Sequence, residues 1–322
     1  MVAANERLSM SQVLTVTLNP ALDLATSALT VKPGLKLRCT EPTVEPGGGG
    51  VNVARAITQL GGKARALVAL SGPTGAALER ELHARHLDVL RIEGPGETRQ
   101  SFAVTDATSS DQYRFVLPGP AWSTAQLDAM LDTIDAQCEP DAFVVLSGSM
   151  PPGAAPGFVT RACIHLGTRR VILDTSGEHL EHQATAPQPA PYVLRMDSAE
   201  AKALSGQGLE TRAESVGFAE DLRKRGVAEI VIIARGKDGS VMAGPDGLWH
   251  TSAANDVVVS AIGAGDSFVG GFTMALAQGH PAPEALRRGA AAAAAAVMSP
   301  GTQLCLPGDY ELLLPRTSLT RF

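Results

Sequence analysis

The stretch Ser260-Ala-Ile-Gly-Ala-Gly-Asp-Ser-Phe-Val-Gly-Gly-Phe272 decides the reading of this chain. Two glycines flank an alanine, an aspartate follows, and an apolar run begins at once. That is the layout of a tight loop opening a helix. Gly263 and Gly265 tolerate backbone angles that other residues resist. The amides of Gly263, Ala264 and Gly265 can then face an anion at the helix N-terminus, where the helix dipole also favours negative charge. Asp266 stands inside that cradle. Like charges repel, so a carboxylate beside an anion hole is a poor structural choice. It suits catalysis if the anion is a phosphoryl group in transfer and the carboxylate takes a proton from the attacking hydroxyl. Read as an exposed aspartate, Asp266 is ionised at neutral pH with no large shift. A plain helix start with an acid in its first turn would carry the same residues, so a second signature has to choose.

That signature is Glu45-Pro-Gly-Gly-Gly-Gly-Val-Asn-Val-Ala-Arg-Ala-Ile57. Four glycines run straight into apolar residues at helical spacing, with Val51, Ala54, Ile57 and Leu60 on the pattern. A flexible linker would show a polar spacer there. Bare backbone lets a ligand approach closely, and Asn52 offers both donor and acceptor, which suits the hydroxyls of a sugar.

Together the two signatures resemble the ribokinase-like (PfkB) sugar kinases: the glycine run matches that family's N-terminal sugar-binding motif, and the Gly-Ala-Gly-Asp loop its C-terminal catalytic motif. The resemblance covers nearly the whole chain after about residue 12. Thr17-Leu-Asn-Pro-Ala-Leu-Asp23, Lys36-Leu-Arg-Cys-Thr40, Thr98-Arg-Gln100, Ser147-Gly-Ser-Met-Pro-Pro-Gly153 and Gly301-Thr-Gln-Leu-Cys305 narrow it to the phosphosugar branch. The glycine quartet is nearest the minor 6-phosphofructokinase subgroup of bacteria. The resemblance implies an α/β fold, a ribokinase-like three-layer α/β/α sandwich with a mostly parallel central sheet and a small β-sheet lid. It also implies a homodimer formed through that lid.

Composition agrees. The chain has 322 residues and a net charge of −6, which argues against nucleic acid or an anionic membrane as the main partner. Cys39, Cys138, Cys163 and Cys305 show no metal-ligand spacing, so reduced thiols and a cytoplasmic location are expected. Residues 1–12 read as a flexible N-terminus rather than a signal peptide. The apolar run Ala290–Met298 is too short to span a bilayer, and its alanines suit a closely packed helix. No P-loop, no complete Gly-x-Gly-x-x-Gly after a strand and no His-Glu-x-x-His occurs.

The pattern predicts strands at Val13–Leu18, Ala64–Leu70, Ala142–Ser147, Arg170–Asp174 and Glu229–Ala234. Helices are expected at Val51–Leu60, Ala76–Ala84, Ala125–Gln137, near 156–166 and near 210–225, with two closing helices from Gly263 onward. Alternation of this kind implies a parallel sheet covered on both faces. Residues 1–322 read as a single kinase domain. Ser101–Thr105 and Gln112–Val116 form an expected hairpin, and the segments near 20–46 and 96–118 supply the lid. Pro187–Pro191 reads as a local loop.

The resemblance assigns roles residue by residue. Asp266 is the base and the amides of residues 263–265 bind the moving phosphoryl group. Asp23, Gly48, Gly49 and Asn52 hold sugar hydroxyls, with Ser149 in the same pocket. Lys36, Arg38 and Arg99 are candidates for the sugar 6-phosphate, since arginine grips phosphate bidentately and lysine adds point charge. Lys36 and Arg38 are two apart, so on a strand they would share a face. Arg235, Gly236, Gly239 and Ser260 fall on the nucleotide side, where Ser260 and Ile262 also match a monovalent cation site (K+).

Relatives usually carry Lys-Pro-Asn-x-x-Glu where this chain has Arg195-Met-Asp-Ser-Ala-Glu200. Glu200 and Asp197 are the Mg2+ candidates, through water, and Arg195 the cation near ATP. The altered segment also admits a drifted surface loop. The expected activity is ATP-dependent phosphoryl transfer to O1 of fructose 6-phosphate. The alternatives are a 1-phosphofructokinase or tagatose-6-phosphate kinase and, in another class, a catalytically impaired sugar-phosphate-binding regulator.

Overall fold

The strand Val13-Leu-Thr-Val-Thr17 lies inside the large sheet, buried at every position. Side chains alternate across a strand, so a strand covered on both faces reads as a continuous apolar run. Leu14 and Val16 enter one core and Val13 the other, and Val144 and Leu146 separate from Phe143 and Val145 in the same way. The computed structural model describes residues 11–185, 189–253, 255, 258–299 and 303–322. The Pro187–Pro191 loop and the Gly301–Cys305 match therefore lie partly outside the described residues, as does most of the N-terminal segment.

In chain order, β1 (Val13–Thr17), β2 (Ala21–Ala28) and β3 (Thr43–Gly47) lead into α1 (Gly49–Gln59). Then come β4 (Arg65–Leu70), α2 (Gly72–Ala84), β5 (Asp88–Glu93), β6 (Arg99–Asp106) and β7 (Gln112–Val116). They are followed by α3 (Thr124–Ala136), β8 (Phe143–Ser147), α4 (Phe158–Leu166), β9 (Arg170–Asp174) and α5 (Glu178–Thr185). The last part holds β10 (Val193–Asp197), α6 (Ser198–Ser205), α7 (Arg212–Lys224), β11 (Ile230–Ala234), β12 (Ser240–Gly244), β13 (Gly247–Ala253), α8 (Ala264–Ala277), α9 (Ala282–Val297), α10 (Pro307–Leu313) and β14 (Thr317–Arg321).

Ten strands form one sheet in the order β14-β13-β12-β11-β10-β9-β8-β1-β4-β5, parallel from β5 to β11 and antiparallel beyond. Residues of α3 to α7 pack in one core and those of α1, α2, α8 and α9 in the other, giving the expected three layers. A Cβ at Gly270 would stand 2.8 Å from Ala56 Cβ, and one at Gly271 2.8 Å from Ala292 Cβ. Small residues thus let α1, α8 and α9 approach closely, the packing that the alanine run foretells.

The second sheet has four strands in the order β3-β2-β6-β7 and draws on both expected lid segments. Lys36 and Arg38 depart from expectation: neither lies on a strand. They lie within the exposed connection between β2 and β3, where a bridge pairs Cys39 with Ala28. The segment after residue 192 is also corrected. It is no surface loop, because Val193–Asp197 is an interior strand hydrogen-bonded to β9 and β11.

Candidate active site

The two signatures pack together as α1 against α8 and are joined by a hydrogen bond at the site. Asn52, one turn into α1, donates from Nδ2 to Asp266 Oδ2 at 2.9 Å. Gly263 caps α8 with φ 76, an angle that suits glycine, and a Cβ there would fall 2.5 Å from Leu304 Cδ2. Asp266 is the third residue of that helix. In the first turn the amides of Gly265 and Asp266 have no intrahelical acceptor. The Ala264 amide turns back to Ala261 O at 3.4 Å, so one of the three expected anion-binding amides is partly engaged.

Asp266 is not the exposed, freely ionised group expected from sequence. Burial and the neighbouring Asp174 carboxylate push its carboxyl up to about 7. The Asn52 hydrogen bond and the charges of Arg195 and Arg55 pull the other way. A general base works best with a pKa near the operating pH, so the shift favours the role.

Sequence reading missed Asp174. It sits at the carboxyl end of β9, where open α/β sheets bind ligands. It accepts from Arg195 Nη1 at 2.9 Å and from Ser147 Oγ at 3.3 Å. A Cβ at Gly265 would stand 3.1 Å from Arg195 Nη1, so this guanidinium lies against the glycine loop. The signal was an aspartate closing an apolar strand, Val-Ile-Leu-Asp174.

From Asn52 the glycine run leads back toward the lid. Cβ atoms at Gly49, Gly48 and Gly47 would collide with Ser147 Oγ at 2.4 Å, Thr17 Cγ2 at 2.6 Å and Asp23 Oδ2 at 2.1 Å. The bare glycine backbone is therefore required by its neighbours. Asp23 lies on β2 between Glu45 and Ser101. Burial raises its carboxyl and Arg99 opposes the shift. Arg99 Nε and Nη2 donate to Asn19 O at 3.3 and 3.2 Å, and Nη1 to Leu117 O at 3.2 Å. Asn19 Nδ2 in turn donates to Ser149 Oγ at 3.3 Å, which links Ser149 to Arg99 through Asn19. Lys36 and Arg38 are exposed, and neither makes an ion pair among the described residues.

On the nucleotide side the placements differ. Arg235 is committed within the fold: it donates to Asp238 Oδ2, Leu209 O, Glu210 O and Ser215 Oγ. These bonds brace the loop before α7. Gly236 and Gly239 form the expected tight turn with positive φ, and a Cβ at Gly239 would fall 1.9 Å from Thr251 O. Ser260 accepts from the Ile262 amide at 3.2 Å through Oγ, and its own amide donates to Val297 O.

Asp197 and Glu200 form a capping box on α6, each carboxylate accepting from the other's amide, at 2.9 and 2.7 Å. One oxygen of each is used in this way. Burial raises the Glu200 carboxyl, and Asp197 and Asp174 add to the shift. The Arg195 guanidinium opposes it, and among the described residues no group of three or more acidic, histidine or cysteine side chains is arranged to hold a metal ion.

A carboxyl poised near neutrality beside the free amides of a helix start suits phosphoryl transfer to an alcohol. The model of the pfkB family carbohydrate kinases matches residues 16–309, and the chain belongs to that family. It is 37% identical over 302 residues to ATP-dependent 6-phosphofructokinase isozyme 2 of Mycobacterium tuberculosis, covering 93% of this chain and 88% of that relative. The isozyme 2 of Escherichia coli is 34% identical, with 94% and 97% covered. Among solved structures, Escherichia coli phosphofructokinase-2 in complex with potassium aligns with a TM-score of 0.89 at 33% identity, covering 95% of this chain and 99% of that one. The same enzyme in complex with fructose-6-phosphate gives 0.87.

Proposed function

We propose that this chain transfers the γ-phosphoryl group of ATP to O1 of fructose 6-phosphate, giving fructose 1,6-bisphosphate. The observation that carries the reading is the Asn52–Asp266 hydrogen bond, which joins the sugar-side helix to the base. Support for the substrate comes from the isozyme 2 relatives and from the structural relative described with fructose-6-phosphate.

In this reading Asp23, the Gly48–Gly49 backbone and Asn52 orient the sugar, and Asp266 takes the O1 proton. The Gly265 amide and the Arg195 guanidinium face the charge that develops on the transferred group. Lys36 and Arg38 are free to close on the 6-phosphate, and Arg99, held against Asn19 O and Leu117 O, is the third cation of that set. Glu200 and Asp197 fit a hydrated Mg2+, an ion that keeps several waters and needs only one or two carboxylates. When bound, such an ion neutralises phosphate charge. K+ is assigned to Ser260 and Ile262, in keeping with the potassium complex of the Escherichia coli relative. We assign a homodimer through the lid; the Escherichia coli enzyme also has a tetrameric inhibited form. Cytoplasmic location belongs to the same reading; among the described residues no helix is long and apolar enough to cross a membrane.

The test is ADP release with ATP and Mg2+ across fructose 6-phosphate, fructose 1-phosphate, tagatose 6-phosphate, fructose and ribose. Fructose 6-phosphate is expected to win. Asp266→Asn is expected to lower kcat by about 10²–10⁴ with intact folding. Preference for an unphosphorylated sugar, or near-normal turnover by that variant, defeats the reading.

A further inference from the structure

Arg55 lies on α1 beside the site, buried and outside every role assigned so far. Its Nη1 donates to Asn52 Oδ1 at 3.0 Å and to Pro46 O at 3.3 Å. A guanidinium is a donor only, so it admits one orientation of the Asn52 amide, with oxygen toward Arg55 and nitrogen toward Asp266. Without that partner the amide can flip and present its oxygen to Asp266, an arrangement that only a protonated carboxyl answers.

We infer that Arg55 is a positioning residue for the phosphoryl transfer: it fixes the Asn52 amide that aims Asp266, and through Pro46 it ties that setting to the lid strand feeding the glycine run. The inference rests on the reading of Asp266 as the base. Four groups face that carboxyl: Asp174 from β9, Arg195 from β10, and Asn52 and Arg55 from α1. Asp174 opposes its ionisation and the other three favour it. Loss of Arg55 removes one positive charge and unlocks a second partner. The acid limb of the rate profile then moves to higher pH. A role confined to bracing α1 against β3 would lower activity without moving that limb.

The experiment is kcat and KM from acid to alkaline pH, with ATP and fructose 6-phosphate, for the parent chain, Arg55→Met, Arg55→Lys, Asn52→Ala and the double variant. Circular dichroism checks folding. Arg55→Met is expected to move the acid limb up by about one pH unit, a loss of about fivefold at neutrality that recovers at alkaline pH. KM for ATP stays put. Arg55→Lys keeps the charge and returns the limb toward its parent position. In the Asn52→Ala background, Arg55→Met costs less than it does alone, because coupled residues are not additive. If Arg55→Met does not fold, Arg55→Gln gives the same comparison. A uniform loss with an unmoved limb, or full additivity with Asn52→Ala, overturns the inference. Silence of the parent chain itself overturns the kinase reading instead.

Discussion

Asp266 holds its proton more tightly in the folded chain than in the unfolded one, where an aspartate titrates near 3.8 rather than about 7. The carboxyl therefore contributes stability in full below the unfolded value and loses it as pH rises through about 7. Asp266→Asn removes that pH-dependent penalty. The variant is expected to be more stable than its parent by about 2–4 kcal/mol at about pH 8, the gain fading near about pH 4. Thermal denaturation at the two pH values checks this; an equal difference at both would mean that the carboxyl is not strained by its surroundings. Asp266 and Asn52 were legible because each sits in a contiguous signature whose spacing carries meaning. Asp174 was not, since the Arg195–Asp174 pair closes across two strands and neither half announces the other. Arg55 stands inside the glycine signature, but its burial against Asn52 shows only in the folded chain.

At the scale of elements, fully buried strands declared themselves as unbroken apolar runs, while β10 hid. Arg195 and Asp197 interrupt Val-Leu-Arg-Met-Asp, and only pairing with β9 and β11 reveals the strand. The β12–β13 hairpin was readable from Pro245-Asp-Gly247, a turn signal that went unused. Asp197 has two duties in the proposed site, and they can be separated. Asp197→Ala removes the N-cap oxygen of α6 and is expected to cost about 1 kcal/mol of stability. Asp197→Asn keeps a capping oxygen, so its melting temperature stays near that of the parent while its half-saturating Mg2+ concentration rises. If that concentration does not move, Asp197 belongs to the helix cap alone.

For the whole molecule, the lid is the part that monomeric packing leaves unexplained. Every residue of β7 is exposed, Tyr113, Phe115 and Val116 among them, and Leu29 and Leu35 add to the bare apolar surface. Large apolar side chains gathered on one small sheet suit a subunit contact better than open water. Under the proposed dimer, Phe115→Glu is expected to shift sedimentation velocity toward the monomer with circular dichroism unchanged. An unaltered sedimentation profile places the subunit contact elsewhere. The lid segments were legible as hairpin and turn chemistry that does not suit a parallel sheet. Lys36 and Arg38 misled because an alternating cation pair reads the same on an extended loop as on a strand.

The elevated proton affinity of Asp266 bears on how the site resets between turnovers. A carboxyl with a pKa of about 7 takes up and returns a proton at little free-energy cost at neutral pH. Under the kinase reading, the proton gained from one alcohol is shed to solvent before the next arrives. The burial that tunes the base thereby also lets the catalyst recycle.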